Sequence, residues 1–549
     1  MNVPNSLVEA VDALEESEFG MTFWGSGRFI SYVGLRSTVF DVGRRIAGFG
    51  LGKGERVVVV LPDEAEFVQI FLGALCAGVV PVPLYPPFIF GQLESYRLSL
   101  ERIVQQSEAR FVISSSEVRD LLGPSGSALP FVTFDEVMAT PPAEDLPAVH
   151  PSDVAFLQYT SGSTAEPKGV VVTHESLLAN ARSIATHLEI TQDDRGVSWL
   201  PLYHDMGLIG FVIIPVLIQG SVWIIPPLEF ARRPALWCEL IDEVRGTISY
   251  APNFAYSLLA RRMDDEQLAE LDLTCWRVAG CGAEPIQIDG LRAFADRFAE
   301  TGFAETALLP SYGLAEMTLA VALASLDEPP QVLSVLRDPL ERESVIAFGD
   351  SDSGPSIAIV SCGTALAGYE IRVEDPNTGH SLGEDLEGEI VVSGPSQANG
   401  YFLDPENTER TFRKGRVHTG DLGFLHSGQL YITGRSKDLI VLNGRNHHPQ
   451  DIEEVVCEES GVRRGNAVAF ASTQSGVEQA IVVLEGIGEV EPAELARRVR
   501  SRVLLSRGVV LSKVVVVRKD TLPRTSSGKV RRGKTRDSYL RDELVKVPE

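Results

Sequence analysis

From about Arg56 to Ala322, short apolar runs alternate with segments of helical spacing. "RVVVVLP" is followed by "EAEFVQIFLGALCAG", and "ARFVISS", "VAFLQYT" and "GVVVTH" are followed by "ESLLANARSIATHL". Strands that are apolar at consecutive positions need covering on both faces, and helices between them supply it. This alternation commits the stretch to α/β layers around a mostly parallel sheet. Two long uncharged segments, Phe67–Leu93 and Met206–Leu228, have the length of membrane spans. Each is interrupted, the first at Gly78 and the second at Gly220, and glycine just past a helix is a stop signal. Both therefore read as a buried helix followed by a short strand, with no membrane span. Their similarity hints at two related α/β halves.

From about Gly363 to Ile432 the pattern changes. "YEIRVED", "GEIVVSG" and "GQLYITG" are short strands between Gly, Pro, Asn and Asp, the signature of a small antiparallel unit. After "GRSKDLIVLNG" the chain returns to mixed α/β. The expected organisation is an N-terminal domain over 1–433, a junction at 434–438 and a small α+β domain over 439–549. The segment 331–362 has weak periodicity and a Gly/Asp/Ser-rich middle, and it reads as a long irregular connection.

Composition excludes several functions. The 549 residues allow about three to five structural units. A formal net charge of −26 argues against a nucleic-acid or anionic-membrane binder and fits a cytoplasmic enzyme. Six cysteines without CxxC spacing suggest neither a zinc knuckle nor a disulfide framework. The first residues lack a basic and an apolar region, so no secretory leader is expected.

The chemistry-bearing stretches are short. "YTSGSTAEPKGV" (159–170) places Thr160, Ser161, Gly162, Ser163 and Thr164 ahead of Lys168. Backbone N–H groups in such a turn form an anion nest, hydroxyls add donors and the lysine adds a charge. Pro167 stands where a Walker loop needs its second glycine, so this is not that loop. "SYGLAEM" (311–317) offers Tyr312 as a flat face for a purine and Glu316 as a hard oxygen ligand. "HTGDLGFL" puts Asp421 in a glycine-bounded turn, where it could accept from a ribose diol or be only a turn residue. "GRSKD" and "LPRTSSGKVRRGKTR" are basic, which by itself means a solvated face. His447 and His448 are adjacent, a poor arrangement for two ligands of one metal, and read as polar loop residues. His204 in "LPLYHDMGLIG" reads by default as a hydrogen-bonded structural residue. GxSxG, HExxH and GxGxxG are absent.

Taken in order, "YTSGSTAEPKGV", "SYGLAE", "HTGDLG", "GRSKD" and "TSSGK" resemble the adenylate-forming superfamily, from about residue 20 to the C-terminus. The resemblance implies a large N-terminal domain of two related α/β subdomains plus a small antiparallel β unit, followed by a small mobile α+β domain. It also implies a reaction: a carboxylate attacks the α-phosphate of ATP, pyrophosphate leaves, and a thiol then takes the acyl group. A carboxylic acid is already ionised at neutral pH, so no general base is needed. Cations and donors that bring an anion to a polyanion are needed instead.

By resemblance, Thr160–Thr164 and Lys168 hold the β- and γ-phosphates. Tyr312 stacks on adenine with Gly282, Ala283, Glu284 and Pro285 on its other side. Ser311, Gly313 and Ala315 flank the nucleotide, and Glu316 binds Mg²⁺. Asp421 and Arg435 take the ribose hydroxyls, Lys529 is the catalytic lysine, Lys437 marks the hinge and Gly444 lines the pantetheine channel. "PVPLYPP", "LPLYHDMGLIG", "NGRNHHPQDIEE" and the segment 331–362 resemble the fatty acyl-AMP ligase branch. There the insertion is thought to restrain the hinge and disfavour CoA, so that a fatty acyl group goes to a holo-acyl carrier protein or polyketide synthase carrier domain acting in trans. His204 would then sit near the acyl carboxylate, with 206–228 as part of the tunnel wall. Part of the basic run Lys513, Arg518, Lys519, Arg524, Arg531, Arg532, Lys534 and Arg536 is expected to face an acidic carrier. The nearest rival is a medium- or long-chain acyl-CoA synthetase. An amino-acid adenylation domain fits less well, because the region after the phosphate loop is so apolar. A catalytically silent nucleotide-binding regulator would not need both Glu316 and Lys529.

Overall fold

The computed structural model describes residues 4–87, 93–122, 130–160, 167–349, 353–442, 445–474, 477–488, 491–524 and 530–545. Among these, the longest sheet has nine strands. Its centre is parallel: Leu308–Gly313, Val278–Cys281, Ile248–Ala251, Arg195–Ser198, Ser221–Ile224 and Gly20–Phe23. Antiparallel strands finish both edges. A second, four-stranded parallel sheet is formed by Val80–Pro83, Arg56–Val60, Val112–Ser114 and Phe131–Thr133. The alternation in the sequence thus resolves into two α/β units.

The two interrupted apolar segments fall in different sheets. Glu64–Cys76 leads to Val80–Pro83, and Gly78 has φ +66, as a stop glycine should. The other begins as a helix at Asp205–Leu208, widens to a π-turn over Ile209–Ile213 and closes with Ile214–Ile218. Here the left-handed residue is Gln219, φ 53, not Gly220. Gly220 serves close approach instead: Tyr32 Oη donates to its carbonyl at 2.5 Å, and a Cβ there would meet Ile218 Cδ1 at 2.9 Å. Among the described residues no helix is long and apolar enough to cross a membrane.

The antiparallel unit is a five-stranded sheet built on Glu370–Glu374, Gly388–Ser393, Arg416–His426, Phe412–Arg413 and Gln429–Arg435. The segment 331–362 is not the irregular connection expected. Val332–Leu336 pairs antiparallel with Ser356–Val360, and Arg337–Glu343 is helical. Val335, Leu340, Ile346 and Ile359 form a small core with Phe424 and Tyr431 of the antiparallel unit. Few apolar positions suffice because the neighbouring sheet supplies the rest of the core.

After residue 438 the chain has its own core. Val462–Gln474, Val477–Gly486 and Leu511–Val517 form a three-stranded sheet, flanked by Pro449–Cys457, Pro492–Arg507 and Arg532–Leu540. Ile440, Ile452, Val455, Val482, Leu495 and Val499 are buried together there, separate from the main N-terminal core.

Candidate active site

Val154–Thr160 and Lys168–Thr173 form an antiparallel pair with Thr160 opposite Lys168. Ser161, Gly162, Ser163 and Thr164, which follow Thr160 in the chain, lie outside the described residues. Lys168 Nζ donates to Asn407 Oδ1 at 2.9 Å and stands 4.7 Å from the centre of the Tyr401 ring. Burial, reinforced by Arg410, lowers the lysine's pKa. A cation partly removed from water attracts an anion more strongly than an exposed one.

Glu316 lies in the short helical turn Ala315–Met317. Tyr401 Oη donates to its Oε1 at 2.6 Å, and its backbone carbonyl accepts from Ala398 N at 2.9 Å. Among the described residues nothing engages Oε2, and no cluster of three or more His, Cys, Asp or Glu could hold a metal by itself. One hard oxygen donor in the field of the Lys168 cation fits Mg²⁺, which keeps several waters and takes other oxygens from phosphate. A softer metal would require a protein cage.

Tyr312 and Asp421 come together from distant parts of the chain. Asp421 is buried; its Oδ2 accepts from Tyr312 Oη and its Oδ1 from Arg435 Nε, both at 2.8 Å. Burial and then Asp421 push the Tyr312 pKa up, while Asp421 raises that of Arg435 further. The two residues assigned to the ribose thus pair with each other in this structure. Gly313 must be glycine, since a Cβ there would lie 1.9 Å from the Leu319 carbonyl oxygen. Gly282 packs against Ser311, whose hydroxyl donates to the Cys281 carbonyl at 3.1 Å. Ala283 holds a left-handed φ of 68, uncommon for a residue with a side chain, and Asn253 Nδ2 donates to the Pro285 carbonyl at 2.6 Å. Glu284 follows in the same turn.

Lys437 lies in the turn Ser436–Asp438, and burial followed by Arg435 lowers its pKa. The charges act on one another across these motifs: Arg435 on Asp421 and Glu316, Lys437 on Asp421 and Lys168, Lys168 on Glu316. His204 is the N-cap of Asp205–Leu208, with Nδ1 2.6 Å from Asp205 Oδ1. That is the structural part expected of it by default. Lys529 and Gly444 lie outside the described residues.

Two readings change. His447 and His448 are not polar loop residues: both are buried, His447 3.4 Å from Glu341 and His448 3.2 Å from Glu387. Arg532 does not face solvent, since it pairs with Asp438 at 2.7 Å and Glu453 at 2.9 Å. It belongs to the interior of the C-terminal region rather than to a carrier-facing surface. The segment 331–362 is joined to that region by Arg337–Asp451 and Arg445–Asp338, both 2.9 Å, besides Glu341–His447. Tyr401 and Asn407 escaped the sequence reading. "NGYFLDPENTERTF" does announce a helix start, with Asp404 capping and Pro405 at the first position, but nothing local says that its tyrosine reaches Glu316.

A purine-sized aromatic tied to a buried aspartate, a half-buried lysine and a lone carboxylate on a two-unit α/β base fit a protein that binds a nucleotide. Residues 12–402 match the AMP-binding enzyme family, and residues 437–548 match the AMP domain of the Disco-interacting protein 2-like type. A Caulobacter vibrioides protein named "Putative acyl-CoA synthetase" is 36% identical over 97% of this chain and 95% of its own. The medium-chain-fatty-acid–[acyl-carrier-protein] ligase JamA of Moorena producens is 34% identical over 90% of this chain and 87% of its own. A solved structure from a study of fatty acyl-adenylate ligases of E. coli and L. pneumophila superposes with TM-score 0.93 at 36% identity, covering 98% of both chains. The chain belongs to the AMP-binding enzymes, the adenylate-forming superfamily, and within them to the fatty acyl-AMP ligase branch.

Proposed function

We propose that this enzyme activates a medium- or long-chain fatty acid with ATP, releasing pyrophosphate, and passes the acyl group to the phosphopantetheine thiol of an acyl carrier protein or polyketide synthase carrier domain in trans. The observation that carries the first step is the convergence of Lys168, Glu316, Tyr312, Asp421 and Arg435 from four separate motifs. Lys168 with the turn Thr160–Thr164 neutralises the β- and γ-phosphates. Tyr312 and Gly282–Pro285 sandwich adenine between Ser311, Gly313 and Ala315. Asp421, held by Arg435, accepts from the ribose diol. Glu316 would hold Mg²⁺, whose charge when bound would offset that of the phosphates. Lys529 bridges the fatty carboxylate and the α-phosphate, His204 sits near that carboxylate, and Lys437 is the hinge of a boundary at 434–438. The fatty carboxylate attacks phosphorus as one P–O bond forms and the bond to pyrophosphate breaks. The barrier is one of charge and alignment, which these groups address.

The acceptor reading is supported by the insertion 331–362, which is tied to the C-terminal region through Arg337, Asp338 and Glu341. A restrained C-terminal region favours a carrier over free CoA. The six free cysteines and the acidic surface agree with a cytoplasmic enzyme. The second reading, a fatty acyl-CoA synthetase, is favoured by the name of the Caulobacter vibrioides relative. Pyrophosphate release should be measured over fatty acids of increasing length, with and without CoA. Release with medium or long chains that CoA does not accelerate supports the first reading; abundant acyl-CoA supports the second.

A further inference from the structure

The residues 399–402 are zipped onto the strand that carries Lys168. Asn399 N donates to the Val171 carbonyl at 3.0 Å, Val171 N to that of Gly400 at 2.9 Å, and Phe402 N to that of Gly169 at 2.8 Å. Tyr401 N donates to Thr408 Oγ1 at 2.9 Å, and Thr408 in turn donates to the Asp404 carbonyl at 2.7 Å. The Tyr401 backbone is therefore fixed on both sides, and its side chain is buried. From this anchored position it makes two contacts of opposite kind. Its hydroxyl donates to Glu316 Oε1 at 2.6 Å, while its ring receives the Lys168 ammonium 4.7 Å from the centroid. Glu316 acts electrostatically on Lys168, yet among the described residues the ammonium donates to Asn407 Oδ1 and not to this carboxylate.

Opposite charges that both touch one side chain in a partly buried site attract each other, and a salt bridge would spend both if nothing intervened. Such a bridge would spend the lysine's charge before phosphate arrived and the carboxylate's before a metal did. A phenol placed between them satisfies both, because its edge donates to an anion and its face attracts a cation. We propose that Tyr401 is a positioning residue: it keeps the carboxylate of Glu316 and the ammonium of Lys168 apart and ready, one for a divalent cation and the other for phosphate. The inference rests on the reading of Glu316 as the magnesium ligand.

The two contacts separate by substitution. Y401F deletes the donor and keeps the ring; Y401L deletes both. ATP binding to the purified enzyme would be titrated calorimetrically over a series of Mg²⁺ concentrations, which requires no turnover. Loss of a hydrogen bond to a charged group predicts that Y401F raises the Mg²⁺ midpoint by about tenfold. Y401L should in addition lower metal-free ATP affinity more than Y401F does. In an E316Q background, Y401F should shift the midpoint no further, a coupling that general loosening of the fold would not produce. An unchanged midpoint in Y401F, or an equal shift in the E316Q background, overturns the proposal. If E316Q leaves the midpoint unmoved, the magnesium reading fails and this proposal with it; if E316Q moves it and Y401F does not, this proposal alone fails.

Discussion

The region around Tyr312, Asp421 and Glu316 and the contact between the insertion and the C-terminal region differ in how much backbone pairing supports their side-chain contacts. Around Tyr312, Asp421 and Glu316 the contacts are hydrogen bonds at 2.6–2.8 Å, one of them also the Arg435–Asp421 ion pair, and sheet register within the large N-terminal part backs them. Between the insertion and the C-terminal region the contacts join side chains of two separate cores: the ion pairs Arg337–Asp451 and Arg445–Asp338, with Glu341 3.4 Å from His447. Directed bonds on a rigid sheet preset a geometry and keep it. Ion pairs across two separate cores tolerate displacement and respond to pH and salt. The difference suits the proposed function, in which the first region aligns one reaction and the second contact is released or kept according to the acceptor.

Breaking the alignment should have the largest effect. K529A should reduce adenylate formation on the order of a hundred- to a thousandfold while ATP binding persists; pyrophosphate release against equilibrium ATP binding separates the two. D421N comes next. It weakens the acceptor for both Tyr312 and Arg435, and KM for ATP should rise about tenfold with a smaller change in kcat. At the insertion contact the expected effect is smaller. R337A removes a largely buried partner of Asp451 and should raise acyl-CoA formation about fivefold, leaving the first half-reaction nearly intact. An unchanged CoA rate would mean that this ion pair does not restrain the acceptor choice.

The smallest effect is a pH dependence. Burial opposes the charge on His448, but Glu387, with Asp451 and Glu341, outweighs it and carries the pKa above 6.5. The 3.2 Å contact is an ion pair rather than an aligned hydrogen bond. A raised folded pKa means that the stabilisation is complete below the unfolded value and is lost as pH rises through the folded one. The difference in thermal midpoint between the natural protein and H448Q should therefore be greatest in mildly acidic solution and shrink above neutrality. His448 Nδ1 also lies 2.6 Å from where a Cβ on Gly434 would be, so G434A should mimic H448Q without changing a charge.

The same contrast governs what could be read from the sequence. Tyr312, Glu316, Asp421 and Lys168 sit in short stretches that each allow a bland reading alone, so they were legible as candidates only with the motifs taken in order. That Tyr312 and Arg435 would share Asp421 was not, because it depends on the pairing of Asp421 with Arg435 across two strands. Tyr401 was invisible for the same reason: its partner Glu316 is brought to it by non-local sheet contacts. His447 and His448 misled because two adjacent histidines suggest a loop, while their partners Glu341 and Glu387 lie far back in the chain. The segment 331–362 had too few apolar residues to announce a fold, since Phe424 and Tyr431 complete its core. Gly220 shows that a glycine after a helix can mark close approach instead of the stop.

The central claim is that a fatty acid is adenylated here and delivered to a carrier rather than to CoA. One reaction tests it: labelled medium- or long-chain fatty acid, ATP, Mg²⁺ and the enzyme, with CoA and a holo-carrier protein at equal concentration. The account predicts label on the carrier thiol, with little acyl-CoA. Label found mainly on CoA, or no pyrophosphate release with any fatty acid, would contradict it.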